Sequence, residues 1–125
     1  MKHKGGCHCR AVQFEFTAPE TMDVTDCNCS ICAMSAYLHV FVPKTDLRFI
    51  SGEDMLITYT FGSHAAKHMF CKICGVKALY IPRSHPDSYS VNLRCITGNT
   101  VKASKTIEFD GQNWEKNISN LRKET

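Results

Sequence analysis

The sequence has no long apolar run, no internal repeat and no tract rich in proline, glycine or serine. No apolar run approaches the ~20 residues of a membrane-spanning helix, which excludes a transmembrane protein. With no linker to divide the 125 residues, we expect a single domain over residues 1–125.

The first residues are polar and cysteine-rich, and they lack the apolar segment of a secretory signal. We therefore expect a protein of the reducing environment of the cytoplasm, the nucleus or both. Eight cysteines are too few for a disulfide scaffold, and in that compartment they indicate metal ligands, zinc above all. Disulfides are the less favoured alternative, because closely spaced cysteines would form strained bonds.

Excess charge of one sign is also missing once metal binding is considered. The formal net charge is +3, and two zinc-thiolate sites, which together carry three negative charges, would reduce it to zero. Basic residues are interleaved with acidic ones throughout, so no positively charged face is predicted. Nucleic-acid binding by this chain is therefore not expected.

Short runs of β-branched and aromatic residues predict a mainly β domain. Val12, Phe14 and Phe16 alternate with more polar residues, as in a strand with one buried face. Similar runs are bounded by Gly, Pro, Asp or Ser, at residues 38–42, 55–61, 76–81, 89–93 and 106–109.

One helix is predicted near the end of the chain. Trp114, Ile118 and Leu121 fall at helical spacing, and Asn113 is a suitable capping residue before them. We interpret Trp114 as a packing residue without a functional role, since a single aromatic on an apolar helical stripe usually packs in the core.

The spacing of the cysteines is the strongest functional signal. In C-x-C on an extended segment both side chains face the same side, and a C-x-x-C turn followed by glycine directs two thiolates toward one ion. Four thiolates close a tetrahedral structural zinc site. The natural set of four is Cys7, Cys9, Cys71 and Cys74.

The remaining cluster, Cys27, Cys29 and Cys32, supplies only three thiolates. Zinc bound there would keep its fourth position open for water or a ligand, which permits chemistry. Alternatively, Cys95 or a histidine completes the set and makes the site structural. Spacing alone leaves both interpretations open.

Three of these segments resemble the signature of the glutathione-dependent formaldehyde-activating enzyme family. They are residues 5–12 (GGCHCRAV), 27–32 (CNCSIC) and 70–75 (FCKICG), and the resemblance continues through 80–84 (YIPRS) and 91–95 (VNLRC). Residues 26–32 and 58–61, with His64 and His68 ahead of residues 70–71, are most similar to the branch that contains the centromere protein V domain.

The resemblance implies a mainly β, Mss4-like β-tent fold with zinc-stapled sheets and two zinc ions per chain. It also implies a closed zinc site at Cys7, Cys9, Cys71 and Cys74 and a catalytic zinc site at Cys27, Cys29 and Cys32. The implied activity is that of a carbon-sulfur lyase, which joins glutathione and formaldehyde as S-hydroxymethylglutathione.

Relatives commonly carry basic residues directly after the three-cysteine cluster, whereas this chain has Ala33 and Met34. Another small thiol or another aldehyde is therefore an alternative substrate. A second alternative is a non-catalytic, zinc-stabilised module that binds another protein, although the sequence identifies no protein partner.

Several residues outside the clusters are candidates by residue type. A histidine could protonate the product oxygen, and the candidates are His39 and His68, with His64 and His85 also available. Arg83 could bind a substrate carboxylate. Cys95 is interpreted as a buried apolar residue rather than a redox nucleophile.

Overall fold

The computed structural model of the protein describes residues 1–124, and Thr125, the last residue of the predicted domain, lies outside them. Strands dominate, in agreement with the many β-branched and aromatic runs of the sequence. The elements are β1 (Lys2–Gly6), β2 (Gln13–Thr17), β3 (Thr21–Cys27), α1 (Ser30–Ser35), β4 (Leu38–Pro43), β5 (Leu47–Ser51), β6 (Leu56–Tyr59), β7 (His68–Cys71), β8 (Leu79–Tyr80), β9 (Ser88–Asn92), β10 (Lys102–Phe109) and α2 (Trp114–Glu124).

The strands form three sheets. The first has the order β1-β2-β5, the second β10-β3-β4-β9-β8, and the third pairs β6 with β7. β10 runs parallel to β3, while the neighbouring pair of β3 and β4 is antiparallel. The second sheet matters most for the site, because β3 and β4 provide one wall of the cavity described below.

The main core lies between the first two sheets. Phe14 and Phe16 of β2 are buried together with Val24, Val40 and Val91 of the second sheet. The predicted alternation in β2 is confirmed, since Phe14 and Phe16 are buried and Gln13 is only half-buried. Burial of such side chains stabilises the fold by ~1.5–3 kcal/mol each.

The predicted mainly β fold with a C-terminal helix is confirmed. Each predicted strand overlaps an observed one, but β1, β3, β5, β7 and the short helix α1 were not predicted. β1 and β3 lack a clear alternation, and six residues in α1 are too few to show a helical period. No helix within residues 1–124 is long and apolar enough to cross a membrane.

Candidate metal centres and cavity

The ends of β1 and β7 bring together the four-cysteine cluster, which consists of Cys7, Cys9, Cys71 and Cys74. Cys7 directly follows β1 and Cys71 is the last residue of β7. Sγ of Cys9 lies 3.7 Å from Sγ of Cys7 and 3.7 Å from Sγ of Cys71. Sulfurs bound to one tetrahedral zinc at ~2.3 Å would lie about 3.8 Å apart. With Cys74 also within 4.8 Å of the others, the donor set fits a closed zinc site.

The local backbone supports these thiolates. The amide of Ile73 donates to Sγ of Cys71 at 3.4 Å, and Gly75 closes the turn at φ +75° with its amide 2.8 Å from the carbonyl of Cys71. The amide of Cys9 lowers the pKa of Cys74 to about 6. Amides aimed at sulfur favour the thiolate form that binds metal.

The three-cysteine cluster forms where β3 leads into α1. Cys27 ends β3, Cys29 immediately precedes α1, and Cys32 is buried in the first turn of that helix. Their sulfur atoms all lie within 4.8 Å of one another. Within residues 1–124, no fourth cysteine, histidine or carboxylate joins this group. The donor set fits zinc with an open fourth position.

Cys95 lies apart from this cluster. It is half-buried, packs against the main core, and has electrostatic interactions with Cys7 and Cys74 of the four-cysteine cluster. Burial raises the pKa of its thiol to about 11. The interpretation of Cys95 as an apolar packing residue therefore fits the structure better than a role as fourth ligand, although its side chain is half-buried and not fully buried as predicted.

The close approach of the three thiols shifts their pKa values in opposite directions. The thiols of Cys27 and Cys32 lower the pKa of Cys29 to about 2, while the interaction with Cys29 raises the pKa of Cys27 to about 11. Binding of a metal cation would release the protons that these thiols carry.

Residues 110–112, near the C-terminal end of the chain, contact the turn between Cys27 and Cys29 and hold it in place. The side chain of Asn28 donates to Asp110 at 3.1 Å and accepts from the amide of Gln112 at 3.2 Å. A Cβ on Gly111 would come within 2.5 Å of Sγ of Cys27. Only glycine lets the backbone pack this closely on the sulfur. The sequence offered no signal for this role.

A cavity of about 210 Å³ lies against the three cysteines. Its walls are largely apolar, and its polar groups are few. The apolar walls include Ile31, Phe41, Phe61, Ala66, Tyr80, Pro82, Phe109, Trp114 and Leu121, and the polar lining includes Thr25, His39, Ser63, His68, Arg83 and Ser84. Such a lining is typical of a small-molecule site.

Of the predicted histidines, His39 is the most buried, and it lines this cavity. Its Nδ1 lies 2.8 Å from Oγ of Ser90 and 3.2 Å from the hydroxyl of Tyr80. Burial lowers the pKa of His39 to about 3, so the imidazole is neutral near pH 7. A neutral ring is suited to donating a hydrogen bond rather than to releasing a proton as imidazolium.

His68 also lines the cavity, between two aromatic rings. Its ring stacks on Phe61 and Tyr80 with centroid separations of 5.4 and 4.7 Å. Its Nδ1 lies 2.7 Å from Nζ of Lys77, which lies 4.0 Å from the centroid of the Tyr80 ring. Burial lowers the pKa of His68 to about 4 and that of Lys77 to about 8. Lys77 was not predicted from the sequence.

The other two histidines do not line the cavity. His64 is exposed, and its Nδ1 lies 2.8 Å from the hydroxyl of Thr60. His85 stacks on Phe41 at 4.2 Å and contacts the hydroxyl of Ser84 at 2.7 Å. Among the predicted histidines, only His39 and His68 are therefore placed to act on a molecule in the cavity.

Arg83 lies at the cavity beside Trp114. Its guanidinium is 3.7 Å from the centroid of the indole ring and donates to Oε1 of Glu115 at 2.9 Å. Trp114 packs against the buried apolar residues of α2, as predicted, but it also lines the cavity. The interpretation of Trp114 as a packing residue alone was incomplete.

Comparisons with known proteins agree with this geometry. Residues 2–116 match the family described as "Glutathione-dependent formaldehyde-activating enzyme". The chain is also similar to a Rhodobacter sphaeroides protein, a structural-genomics target with a known crystal structure. The two sequences are 35% identical, and the two structures superpose with a TM-score of 0.69. The match covers 76% of this chain and 88% of that one.

Proposed function

Because the chain belongs to the glutathione-dependent formaldehyde-activating enzyme family, we propose that it is a zinc-dependent carbon-sulfur lyase. It binds glutathione or a similar small thiol beside Cys27, Cys29 and Cys32, and it forms or cleaves the formaldehyde adduct S-hydroxymethylglutathione. The observation that carries this proposal is a set of three sulfurs, within 4.8 Å of one another, on the wall of a cavity.

The two cysteine clusters would hold two zinc ions with different roles. Zinc at Cys7, Cys9, Cys71 and Cys74 would be structural, since four thiolates complete its coordination. Zinc at the three-cysteine cluster would lower the pKa of a bound thiol and so supply a thiolate at neutral pH.

In the synthetic direction the thiolate sulfur of the substrate attacks the carbonyl carbon of formaldehyde. A carbon-sulfur bond forms, the π electron pair moves to the oxygen, and that oxygen takes up one proton. The neutral His68 ring gives up its Nε2 proton to this oxygen while the ammonium of Lys77, 2.7 Å from Nδ1, donates a proton to Nδ1. His39 contributes a neutral hydrogen-bond donor.

Arg83 supplies the positive charge that recognises the thiol substrate. Glutathione carries two carboxylates, and a guanidinium can bind one of them through two parallel hydrogen bonds. Stacking on Trp114 holds the guanidinium beside the cavity. The flanking Ala33 and Met34 provide no second charge, which keeps other small thiols and other aldehydes among the candidate substrates.

The compartment is part of the same proposal. All eight cysteines are unbridged within the described residues, which suits the reducing cytoplasm or nucleus. Thiol ligands and a thiol substrate would both stay reduced there.

The test is the rate of adduct formation, measured above the spontaneous reaction of glutathione with formaldehyde. We expect zinc-loaded protein to accelerate the approach to equilibrium and Cys29→Ser to lose the acceleration. Cys95→Ser, which changes a cysteine outside both clusters, is the matched control and should stay active. Folded, zinc-loaded protein that gives only the spontaneous rate would favour the protein-binding module instead.

A further inference from the structure

Two buried polar atoms in the cavity wall have no hydrogen-bond partner among the described residues. They are Oγ1 of Thr25 and Nε2 of His39, on residues that are 2% and 3% exposed. A buried polar group without a partner is costly, and such groups are rare in folded proteins. Their presence indicates a position prepared for a molecule that enters the cavity.

The sheet places these two residues side by side. Thr25 of β3 and His39 of β4 are directly opposite each other in the antiparallel pair, so their side chains lie on the same face. Thr25 is also two residues before Cys27, which puts both on one side of β3. All three residues line the cavity. The two residues therefore share the cavity wall with the three-cysteine cluster.

The hydrogen bonds behind His39 determine which of its nitrogens carries the proton. The hydroxyls of Ser90 and Tyr80 both lie at Nδ1, and neither has another hydrogen-bond acceptor among the described residues. We assign the Ser90 hydroxyl, the nearer of the two, as the donor to the single lone pair of Nδ1, so the neutral ring carries its proton on Nε2. His39 therefore presents an N–H donor to the cavity, and the Thr25 hydroxyl can donate or accept beside it.

We propose that Thr25 and His39 form a subsite for the oxygen of the thiol-aldehyde adduct. His39 Nε2–H donates to this oxygen, and the Thr25 hydroxyl makes a second hydrogen bond to it. This inference rests on the proposed function, because the sulfur of the same adduct lies beside the cysteines. The preferred ligand class is a hemithioacetal, which carries a hydroxyl on the carbon next to sulfur, rather than a plain thioether.

The subsite also explains why two polar atoms are kept in a largely apolar wall. A site that hydrogen-bonds a substrate hydroxyl rejects analogues without it, since its own buried polar groups then stay unpaired. Formaldehyde itself offers few atoms for recognition, so contacts to its single oxygen are the means by which the protein can distinguish adduct from thiol.

The experiment compares two ligands that differ in this hydroxyl. Isothermal titration of zinc-loaded protein measures binding of S-methylglutathione and of glutathione in excess formaldehyde, which supplies S-hydroxymethylglutathione. We expect roughly tenfold tighter binding of the hydroxylated adduct by the unmodified protein. Thr25→Val should reduce this preference severalfold, Thr25→Ser should retain it, and the exposed Thr58→Val on β6 is the control.

Two further readouts separate a binding role from a structural one. Thr25→Val should melt no lower than the unmodified protein, because an unpartnered hydroxyl contributes nothing to stability. The Nε2–H signal of His39 in long-range ¹H–¹⁵N spectra should shift with the adduct but not with S-methylglutathione.

The outcomes distinguish this inference from the function on which it rests. If the unmodified protein binds the adduct and Thr25→Val keeps the full preference, the subsite is wrong and the proposed function stands. If the unmodified protein binds neither glutathione nor the adduct, the proposed function fails and the subsite fails with it.

Discussion

Nζ of Lys77 lies 2.7 Å from Nδ1 of His68, and the cavity is lined by His68 but not by Lys77. The lysine also contacts the faces of Tyr80 and Tyr37, at 4.0 and 4.9 Å from their ring centroids. Because the ammonium group donates to Nδ1, the neutral His68 ring carries its proton on Nε2, the nitrogen left for the cavity. In the proposed reaction, Lys77 therefore acts through His68.

This relationship predicts the effect of removing the ammonium group. Lys77→Met should lower the catalysed rate of adduct formation by about tenfold or more, since it removes the proton source behind His68. In the unmodified protein the catalysed rate should fall as the pH rises through about 8, where Lys77 loses its proton, and the variant should lack this decline.

Lys77→Arg, which retains a cation, is the matched control and should keep more of the rate than Lys77→Met. ¹⁵N spectra of His68 provide the second measurement, with the Nε2–H form dominant in the unmodified protein and a mixture in Lys77→Met. An unchanged tautomer and an unchanged pH profile in Lys77→Met would show that Lys77 only packs against the tyrosines.

The close packing of Gly111 on Cys27 predicts that a larger residue at position 111 weakens metal binding at the three-cysteine cluster alone. A Cβ at this position would lie 2.5 Å from Sγ of Cys27 and 2.9 Å from Cβ of Cys29, so Gly111→Ala must displace these ligands. We expect zinc affinity at the three-cysteine cluster to fall by roughly 10–100-fold. Competition with a coloured chelator should show one zinc released early and the other unchanged.

The control for Gly111→Ala is Gly98→Ala. Gly98 has φ +74° and nothing closer than 3.7 Å to an added Cβ, so alanine there costs about 1 kcal/mol of stability through backbone strain alone. Early zinc release from both variants, or from neither, would contradict the assigned role of Gly111.

Arg83 predicts a preference for thiols that carry a carboxylate. Arg83→Gln should weaken glutathione binding by roughly tenfold, the effect of one charge-assisted hydrogen bond, and should leave 2-mercaptoethanol binding unchanged. Glu115 accepts from Arg83 at 2.9 Å, so Glu115→Gln should release the guanidinium and bind glutathione at least as well. Equal losses for both thiols in Arg83→Gln would mean that Arg83 only supports Trp114.

His39 predicts how stability depends on pH. Burial lowers its pKa from 6.5 to about 3, so between these values the unfolded chain binds a proton that the folded chain does not. Stability is therefore present above pH 6.5 and is lost as the pH falls toward 3, by up to ~1.4 kcal/mol per unit.

Urea unfolding of zinc-saturated protein between pH 6.5 and 5 measures this effect. His39→Gln should show a shallower loss of stability than the unmodified protein, while His64→Gln, at an exposed site, should match it. Identical slopes for all three proteins would contradict the burial of His39 as a neutral ring.

The sequence predicts the two cysteine clusters well because each is built from groups of cysteines that are close together in the chain. Cys27, Cys29 and Cys32 lie within six residues of one another, and a strand end followed by one helical turn is enough to converge their sulfurs. The four-cysteine set combines two such local units, which is why spacing identified its members although Cys9 and Cys71 are far apart in the chain.

The cavity was not predictable in the same way, because it depends on distant pairings. The contact of Asn28 with Asp110 joins residues 82 positions apart, and no spacing rule connects Gly111 to Cys27. Thr25 is the exception, since alternation along a strand that ends at Cys27 would have placed both on one face. That strand was missed because Asp23 and Asp26 interrupt its apolar pattern.

The measurement that tests the account most directly is native mass spectrometry of the reduced protein with and without glutathione. The account predicts two zinc ions per chain and one bound glutathione, with Cys29→Ser losing the glutathione while the four-cysteine zinc remains. A folded, reduced protein that carries two zinc ions per chain but binds no glutathione would contradict the open site at Cys27, Cys29 and Cys32.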